Sequence, residues 1–188
     1  LEVGGLYVRY ATRKGVAVSA LEDVNLAVRE GEFLTIVGPS GCGKSTLLRC
    51  CNRLEVPTAG RVLLRGQDVA DRDPLQLRRR VGMVFQRPTP FPGTVHENLR
   101  VAEPDLADAA AVRTLEAVGL DASFLSRVAT DLSGGEAQRM CLARTLVTGP
   151  EVVLMDEVTS SVDPAARLGL ETLARHLADT AVNIVWVT

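Results

Sequence analysis

Short apolar runs of strand length alternate along the chain with segments that favour helices. Residues 6–10 and 24–28 cluster or alternate apolar side chains, and a Glu30-Gly31 turn precedes the apolar run 33–37. A short apolar run bounded by turn residues is typical of a buried strand. A glycine-rich loop follows this run, and the leucines of residues 46–54 then favour a helix. The pattern therefore predicts a strand, a loop and a helix in succession.

The remainder of the chain continues this alternation. Apolar residues predict further strands at 61–65, 82–85 and 152–155, while residues 94–128 are rich in helix formers and Gly119 provides a helix stop. The predicted apolar stripe of this helical segment comprises Ala109, Ala110, Val112, Leu115 and Val118. Pro164, directly behind Asp163, suits the first position of a last helix. Its predicted apolar face comprises Leu170, Leu173, Ala174 and Leu177.

Composition narrows the classes of protein that the chain can belong to. Hydrophobic residues make up 46% and charged residues 23% of 188 residues, which is close to the globular average and excludes disordered and fibrous classes. The net charge of -2 gives no field that would attract nucleic acid, so we expect no nucleic-acid partner. No apolar stretch approaches the roughly 18 residues of a membrane span. If a membrane is involved, a partner has to provide the spanning segments.

The four cysteines carry no metal-site pattern. Cys42, Cys50, Cys51 and Cys141 form no C-x-x-C pair and have no nearby histidines, so a structural zinc site is not expected. We interpret them as buried or loop thiols.

A phosphate-binding loop is the firmest chemical feature. The segment from Gly38 to Ser45 fits the pattern G-x-x-x-x-G-K-[ST], in which glycines let successive backbone N–H groups face phosphate oxygens at a helix N-terminus. Lys44 is predicted to hold the β- and γ-phosphates and Ser45 to bind Mg²⁺. The predicted ATP-binding residues of this segment are Gly38, Pro39, Ser40, Gly41, Cys42, Gly43, Lys44, Ser45 and Thr46.

Two acidic residues close the apolar strand that ends at Met155. Asp156 suits the Mg²⁺ shell of a phosphate-binding loop, which needs a strand-borne acid. Glu157, the next residue, is placed to orient or deprotonate an attacking water and is therefore the predicted general base.

A second anion site is predicted in the segment Leu132-Ser133-Gly134-Gly135-Glu136. Ser133 and Glu136 form a capping box, S-x-x-E, which by itself indicates only a helix start. Gly134 and Gly135, however, expose N–H groups at the positive end of that helix. One ATP hardly needs two such sites from one subunit.

The order of these motifs resembles that of the nucleotide-binding domain of ABC transporters. Five motifs follow one another in the family's order and span essentially all 188 residues. Gln86 follows an apolar strand between the phosphate-binding loop and the segment 132–136, and Ser160-Ser161-Val162-Asp163 follows the acidic pair. It implies that Tyr10 stacks on adenine and that Gln86 contacts Mg²⁺ and the membrane partner, with a part in catalysis beside Glu157 and Lys44. By the same resemblance, Ser133, Gly134 and Gly135 bind the γ-phosphate of an ATP held by the opposite subunit. Asp163 then lies in the loop that couples the two sites.

The resemblance also implies a fold and a division of the chain. We expect an α/β fold: a P-loop NTPase core with a mostly parallel sheet and flanking helices, an N-terminal antiparallel β subdomain and an inserted helical lobe. Residues 1–188 are expected to form a single domain. Residues 1–90 and 150–188 then form the core with its β subdomain. Residues from about 91 to 149 form the lobe, which contains the family's signature motif, here Leu132 to Glu136.

The implied activity is ATP hydrolysis, with ATP and Mg²⁺ bound in a head-to-tail dimer. The implied partners are a second copy of the chain and integral membrane permease subunits at the cytoplasmic face of the membrane. Residues 81–95 resemble phosphate-import ATPases, whereas the short lobe and the segment 156–160 resemble iron-export and metal-resistance types. Two alternatives remain: a soluble ABC ATPase not coupled to transport, and a nucleotide-dependent switch without turnover.

Three departures from the family pattern are visible. Val158 stands where the family has proline, and Ser161-Val162 stands where it has Ala-Leu. The family's switch histidine is expected directly after Thr188, so we expect a piece that ends before it, binds ATP well and hydrolyses it poorly. His96 and His176 lie elsewhere in the sequence and are expected at the surface.

Overall fold

The computed structural model describes residues 1–11, 17–159, 164–180 and 182–188. Its strands are β1 Glu2–Ala11, β2 Ala17–Ala27, β3 Phe33–Ile36, β4 Ala59–Leu64, β5 Gln67–Asp68, β6 Val81–Val84, β7 Val152–Asp156 and β8 Asn183–Val187. Its α-helices are α1 Lys44–Cys51, α2 Pro74–Arg80, α3 Val95–Ala102, α4 Asp108–Ala117, α5 Gly134–Leu146 and α6 Pro164–Asp179. Short 3₁₀ turns are Val69–Asp71, Ala122–Ser126 and Ala129–Asp131.

The strands form two sheets of opposite type. One sheet has the order β2-β1-β4-β5 and is antiparallel, and the other has the order β3-β8-β7-β6 and is parallel. The predicted α/β fold with an N-terminal antiparallel sheet is therefore confirmed. The helices α3, α4 and α5 lie between β6 and β7 in the chain, where the helical lobe was predicted.

The first two strands are longer than their apolar runs predicted. β1 begins at Glu2 rather than residue 6, and β2 begins at Ala17 rather than residue 24. Antiparallel strands that pack on one face only need no continuous apolar run, so both strands extend through segments that mix polar residues with apolar residues and glycine. β1 and β4 approach so closely that a Cβ on Gly60 would lie 2.1 Å from the carbonyl oxygen of Gly5.

The parallel sheet separates two hydrophobic cores. Along β7, Val153 and Met155 pack into the core beneath the lobe helices and α6, whereas Val152 and Leu154 pack into the core that contains α1 and the antiparallel sheet. Because side chains of a strand alternate between its faces, a fully apolar strand such as β7 is expected only when both faces are covered.

The predicted stripe of the lobe helix is confirmed at its end and wrong over its alanines. Leu115 and Val118 are fully buried as predicted, whereas Ala109 is exposed and Ala111, which was not part of the stripe, is buried. In a run of alanines, apolar periodicity cannot distinguish one face from another. Gly119 ends this segment with a φ of 73°, as predicted.

The cysteines occupy the positions that their sequence context predicted. Cys50, Cys51 and Cys141 are buried, and Cys42 is exposed in the loop before α1. Burial raises the pKa of the Cys50 and Cys51 thiols to about 12, so both remain protonated and unreactive at neutral pH. Over residues 1–11, 17–159, 164–180 and 182–188, no helix combines the length and the apolar content that a membrane crossing requires.

Glu151 joins the two sheets through a double ion pair. Its carboxylate accepts hydrogen bonds from Arg65, which follows β4, and from Arg80, the last residue of α2. Partial burial raises the pKa of Glu151, but the hydrogen bonds and charges of Arg80 and Arg65 outweigh this and hold the pKa below its usual range. The carboxylate is therefore charged at neutral pH.

We expect Glu151→Gln to lower the free energy of unfolding by about 1 kcal/mol near pH 7, as for partly exposed ion pairs. The native pKa is lowered, so this stabilisation is present above the unfolded pKa of about 4.3 and is lost as the pH falls through the native pKa. Urea unfolding at several pH values measures the difference. It should vanish in acid, and it should be absent for Glu116→Gln, which alters an exposed residue of α4. A difference that persists in acid would contradict the assignment.

Candidate functional site

The carboxyl ends of three parallel strands meet at one edge of the core sheet. β3 leads into the loop before α1, β7 ends at Asp156, and β6 is followed two residues later by Gln86. Ligands of open α/β sheets bind at this edge, because loops from several strands converge there. The topology therefore brings the loop, the acidic pair and Gln86 together.

The loop reaches α1 through two glycines with left-handed backbone. Gly41 has a φ of 81° and Gly43, the N-cap of α1, has a φ of 98°. A Cβ on Gly43 would lie 2.3 Å from the carbonyl oxygen of Ala20 in β2, so the loop packs directly against the antiparallel sheet. A glycine is therefore required at position 43 for both conformation and space.

Lys44 places a nearly buried positive charge at the centre of the loop. Only 7% of the residue is exposed, and its Nζ donates to the carbonyl oxygens of Gly38 at 2.7 Å and Pro39 at 3.1 Å. The same Nζ lies 3.4 Å from Oε1 of Glu157. The ammonium thus links the loop to the acidic end of β7.

Ser45 and Asp156 form an oxygen pair beside this lysine. The Ser45 hydroxyl donates to Oδ1 of Asp156 at 2.7 Å, and Asp156 is 4% exposed. A hydroxyl and a carboxylate are oxygen ligands of the kind that Mg²⁺ prefers, with other positions left to water and phosphate. The residues present therefore fit a Mg²⁺ site that is completed by a phosphate substrate. In the described part of the chain, no cluster of three or more His, Cys, Asp or Glu could hold a metal alone.

Glu157 has an unusual backbone for a residue with a side chain. Its φ is 46°, and its N–H donates to the carbonyl oxygen of Val187 at 3.0 Å, just beyond the end of β7. Left-handed backbone costs a non-glycine residue on the order of 1 kcal/mol and often marks a functional site. The turn directs the carboxylate between Lys44 and Gln86, whose Nε2 donates to Oε2 of Glu157 at 3.2 Å.

A cavity of about 330 Å³ lies over the loop. It is lined by Tyr10, Val18, Ser19, Ala20, Gly41, Gly43, Lys44, Ser45, Thr46 and Glu157. Tyr10 is 40% exposed, and partial burial together with Glu55 raises its pKa, although a hydrogen bond with Thr46 lowers it. The cavity therefore combines an aromatic ring and an aliphatic residue at one side with a cation, a carboxylate and helix N–H groups at the other.

The predicted second anion site lies apart from this cavity. Ser133 is the N-cap of α5, and its Oγ accepts from the N–H of Glu136 at 3.4 Å, while the Glu136 carboxylate accepts from the N–H of Ser133 at 2.8 Å. The capping box is thus present. Ser133 and Gly134 are exposed, and neither they nor Gly135 line the cavity.

The other predicted residues have mixed outcomes. Asp163 lies outside the residues that the structure describes. His176 is exposed as expected. His96 is half-buried rather than at the surface, and its Nε2 lies 3.1 Å from Oδ1 of Asp108 at the start of α4.

Two buried amides that support the site were not predicted. Gln138 of α5, 1% exposed, donates to the carbonyl oxygen of Phe85 and so fixes the residue before Gln86. Asn98 of α3 is fully buried and bonds to both backbone groups of Phe91. Each has charged neighbours in its helix, so the sequence offers no signal that the residue is buried.

Comparison with known proteins identifies relatives along nearly the whole chain. The family model for the ABC transporter matches residues 21–160, which is more than half of the chain. Protein STAR1 of Oryza sativa subsp. japonica is 45% identical over 179 residues, which cover 92% of this chain and 52% of that protein. The phosphate import ATP-binding protein PstB 3 of Natronomonas pharaonis is 40% identical over 180 residues, which cover 88% of this chain and 66% of that protein.

Solved structures agree with these relatives. The dimeric structure of MJ0796, a bacterial ABC transporter cassette, matches with a TM-score of 0.87 at 29% identity over 100% of this chain and 87% of that one. A post-hydrolysis state of the same cassette, bound to ADP and Pi, matches with a TM-score of 0.86 at 29% identity and the same coverage. The chain spans about half to two thirds of the length of the curated relatives it matches. It belongs to the ABC transporter family, of which it is an ATP-binding cassette.

Proposed function

We propose that the chain binds ATP with Mg²⁺ in the cavity over the loop and hydrolyses it. The observation that carries this proposal is the convergence of five predicted groups from three separate places in the chain: the start of α1, the end of β7 and the segment after β6. Lys44, Ser45, Asp156, Glu157 and Gln86 are linked by contacts of 2.7 to 3.4 Å. The relative MJ0796 is known in a post-hydrolysis state bound to ADP and Pi, which supports hydrolysis of ATP.

Each group has a separate task in this proposal. Backbone N–H groups of the loop and Lys44 bind the phosphates, and Tyr10 stacks on the adenine. Ser45, Asp156 and Gln86 would hold Mg²⁺, which would neutralise phosphate charge and polarise the transferred phosphoryl group. Glu157 accepts a proton from the attacking water, and Gln86 holds that carboxylate in place from the side opposite Lys44.

The working unit in this proposal is a head-to-tail dimer. Gly134 and Gly135 present helix N–H groups beside the exposed Ser133, and none of the three lines the cavity of its own chain. An anion site of this kind is best used on the γ-phosphate of a nucleotide held by a second copy. The dimeric structure of MJ0796 supports the arrangement. Asp163 is assigned to the loop that couples the two sites.

The proposed output is transport through integral membrane permease subunits at the cytoplasmic face of the membrane. A groove of about 290 Å³ offers a surface for such a partner. Exposed apolar side chains of Leu54, Phe85, Phe91 and Val101 line it together with the exposed Arg87. An amphipathic permease segment with an acidic residue would complement these walls in both polarity and charge. Phe85 adjoins Gln86, so this groove borders the nucleotide site.

We favour phosphate as the cargo and import as the direction of transport. The 40% identity to PstB 3, a phosphate import protein, supports it, as does the resemblance of residues 81–95 at the proposed permease groove. Because the groove contacts the permease in this proposal and the permease carries the cargo, a likeness there is more informative than one at the nucleotide site.

The proposal is tested by ATP-dependent dimerisation of a Glu157→Gln variant. This variant should be a monomer without nucleotide and a dimer with ATP and Mg²⁺, because binding is retained while hydrolysis is blocked. Size-exclusion chromatography with light scattering measures the mass in each condition. The double variant Lys44→Ala, Glu157→Gln should remain monomeric. A Glu157→Gln protein that stays monomeric at saturating ATP would refute the composite site.

A further inference from the structure

Glu136 places a negative charge beside the proposed anion site of α5, the helix that we call the signature helix. Its carboxylate lies at the N-terminus of α5, where it accepts a hydrogen bond from the N–H of Ser133 at 2.8 Å. The hydrogen bonds from the Ser133 backbone and side chain, together with Arg127, hold the pKa of Glu136 below its usual range, so the group is charged at neutral pH. A negative charge at this end of the helix opposes the approach of a phosphate.

Arg127 lies directly against this carboxylate. Its Nη1 donates to Oε1 of Glu136 at 3.0 Å, while Ser133 uses the other oxygen, Oε2. The guanidinium also stacks on the ring of Phe124, with 4.3 Å between its Cζ and the ring centroid. Both contacts fix the planar cation beside the helix end, which a solvated arginine would not maintain.

The backbone of Arg127 is fixed as well. Its carbonyl oxygen accepts from the N–H of Val95 at the start of α3, and the N–H of Ala129 donates to the carbonyl oxygen of Gly93. Thr94 and Val128 form an isolated β-bridge between these two contacts. The position of the guanidinium relative to α5 is therefore set by the lobe rather than by the side chain alone.

We propose that Arg127 is a positioning residue of the composite site: by pairing with Glu136, it keeps the signature helix N-terminus receptive to the γ-phosphate of the partner copy's ATP. The pair is about half-exposed and contributes little to folding stability. The pair changes the electrostatic potential at the N-terminus of α5. This change matters only when a second copy brings the phosphate of its ATP to that end of the helix. This inference rests on the proposed head-to-tail dimer.

The test measures the ATP-dependent dimerisation constant of Arg127→Ala in the Glu157→Gln background by sedimentation. Uncovering one charge near a helix terminus weakens anion binding roughly 2- to 5-fold. Since a dimer has two such sites, dimerisation should weaken by about 4- to 25-fold. The loss should diminish at high ionic strength, because salt screens exposed charges.

Two further variants separate charge from shape. Adding Glu136→Gln to Arg127→Ala removes the uncovered charge but keeps an oxygen for the N–H of Ser133, so dimerisation should return to within about twofold of the parent. Phe124→Leu removes the stacking ring but keeps the ion pair, and should have a smaller effect than Arg127→Ala. The affinity of the dilute monomer for ATP is the control, because neither Arg127 nor Glu136 lines its cavity.

The possible failures can be told apart. If the Glu157→Gln parent does not dimerise with ATP, the proposed function and this inference are both wrong. If the parent dimerises and Arg127→Ala dimerises equally well, only the inference is wrong. A loss that neither Glu136→Gln nor salt relieves would show that Arg127 acts through lobe structure and would also overturn it.

Discussion

Replacing Glu157 with Gln should lower the rate of ATP turnover by about a thousandfold, within the range seen when a general base is lost. Glutamine has nearly the same shape, and it can still meet Lys44 and Gln86, but its amide cannot accept a proton from water. The carboxylate lies 3.4 Å from Lys44 and 3.2 Å from Gln86. Its position therefore depends on a hydrogen bond as well as on its charge.

Phosphate release measured at saturating ATP gives this rate, and equilibrium binding gives the affinity, which should change far less. Glu151→Gln is the matched control, because Glu151 is a paired carboxylate remote from the cavity. Its turnover should equal that of the parent. A Glu157→Gln protein that retains more than about a tenth of the parent rate would exclude Glu157 as the base.

Replacing Lys44 with Ala should weaken ATP binding by about a hundredfold or more. Charge-assisted hydrogen bonds contribute roughly 1.5–3 kcal/mol each, and 1.4 kcal/mol is a factor of ten in affinity. Lys44 is the one cationic side chain among the described residues that line the cavity, so no neighbour there can substitute for it.

Calorimetric titration with ATP measures this affinity. Arg49→Ala removes the same charge from an exposed position on the same helix, and it should leave the affinity within about threefold. Thermal unfolding of Lys44→Ala provides a second control, because Lys44 also binds two loop carbonyls. An affinity loss no larger than that of Arg49→Ala would contradict the role of Lys44.

Much of the nucleotide site could be predicted from the sequence because it depends on local order. A strand, a glycine-rich loop and a helix fix the direction of Lys44 and Ser45, and an apolar strand fixes where Asp156 emerges. These are short-range constraints, and parallel strands then place their carboxyl ends together. The pairing of Ser45 with Asp156, 111 residues apart, follows from that topology.

Other features depend on contacts that no local pattern encodes. The left-handed backbone of Glu157 is held by a contact with Val187, and Glu151 binds arginines 86 and 71 residues away. The sequence alone indicates that Gln138 is a surface residue of α5, and only the packing around that helix shows that it is buried. The choice of Ala109 instead of Ala111 in α4 was wrong for a related reason, since an alanine run leaves the choice of face to tertiary packing.

The position of β8 has a consequence for the order in which the molecule forms. β3, which carries the phosphate-binding loop, and β7, which carries the acidic pair, do not pair with each other; β8 lies between them and bonds to both. β3 and β8 are separated by about 150 residues, so their pairing closes a long loop and is slow relative to local structure. During synthesis the loop and the acids are made before β8, and they do not align with each other until β8 pairs with both β3 and β7. Assembly of the nucleotide site should therefore wait for the insertion of β8 between these two strands.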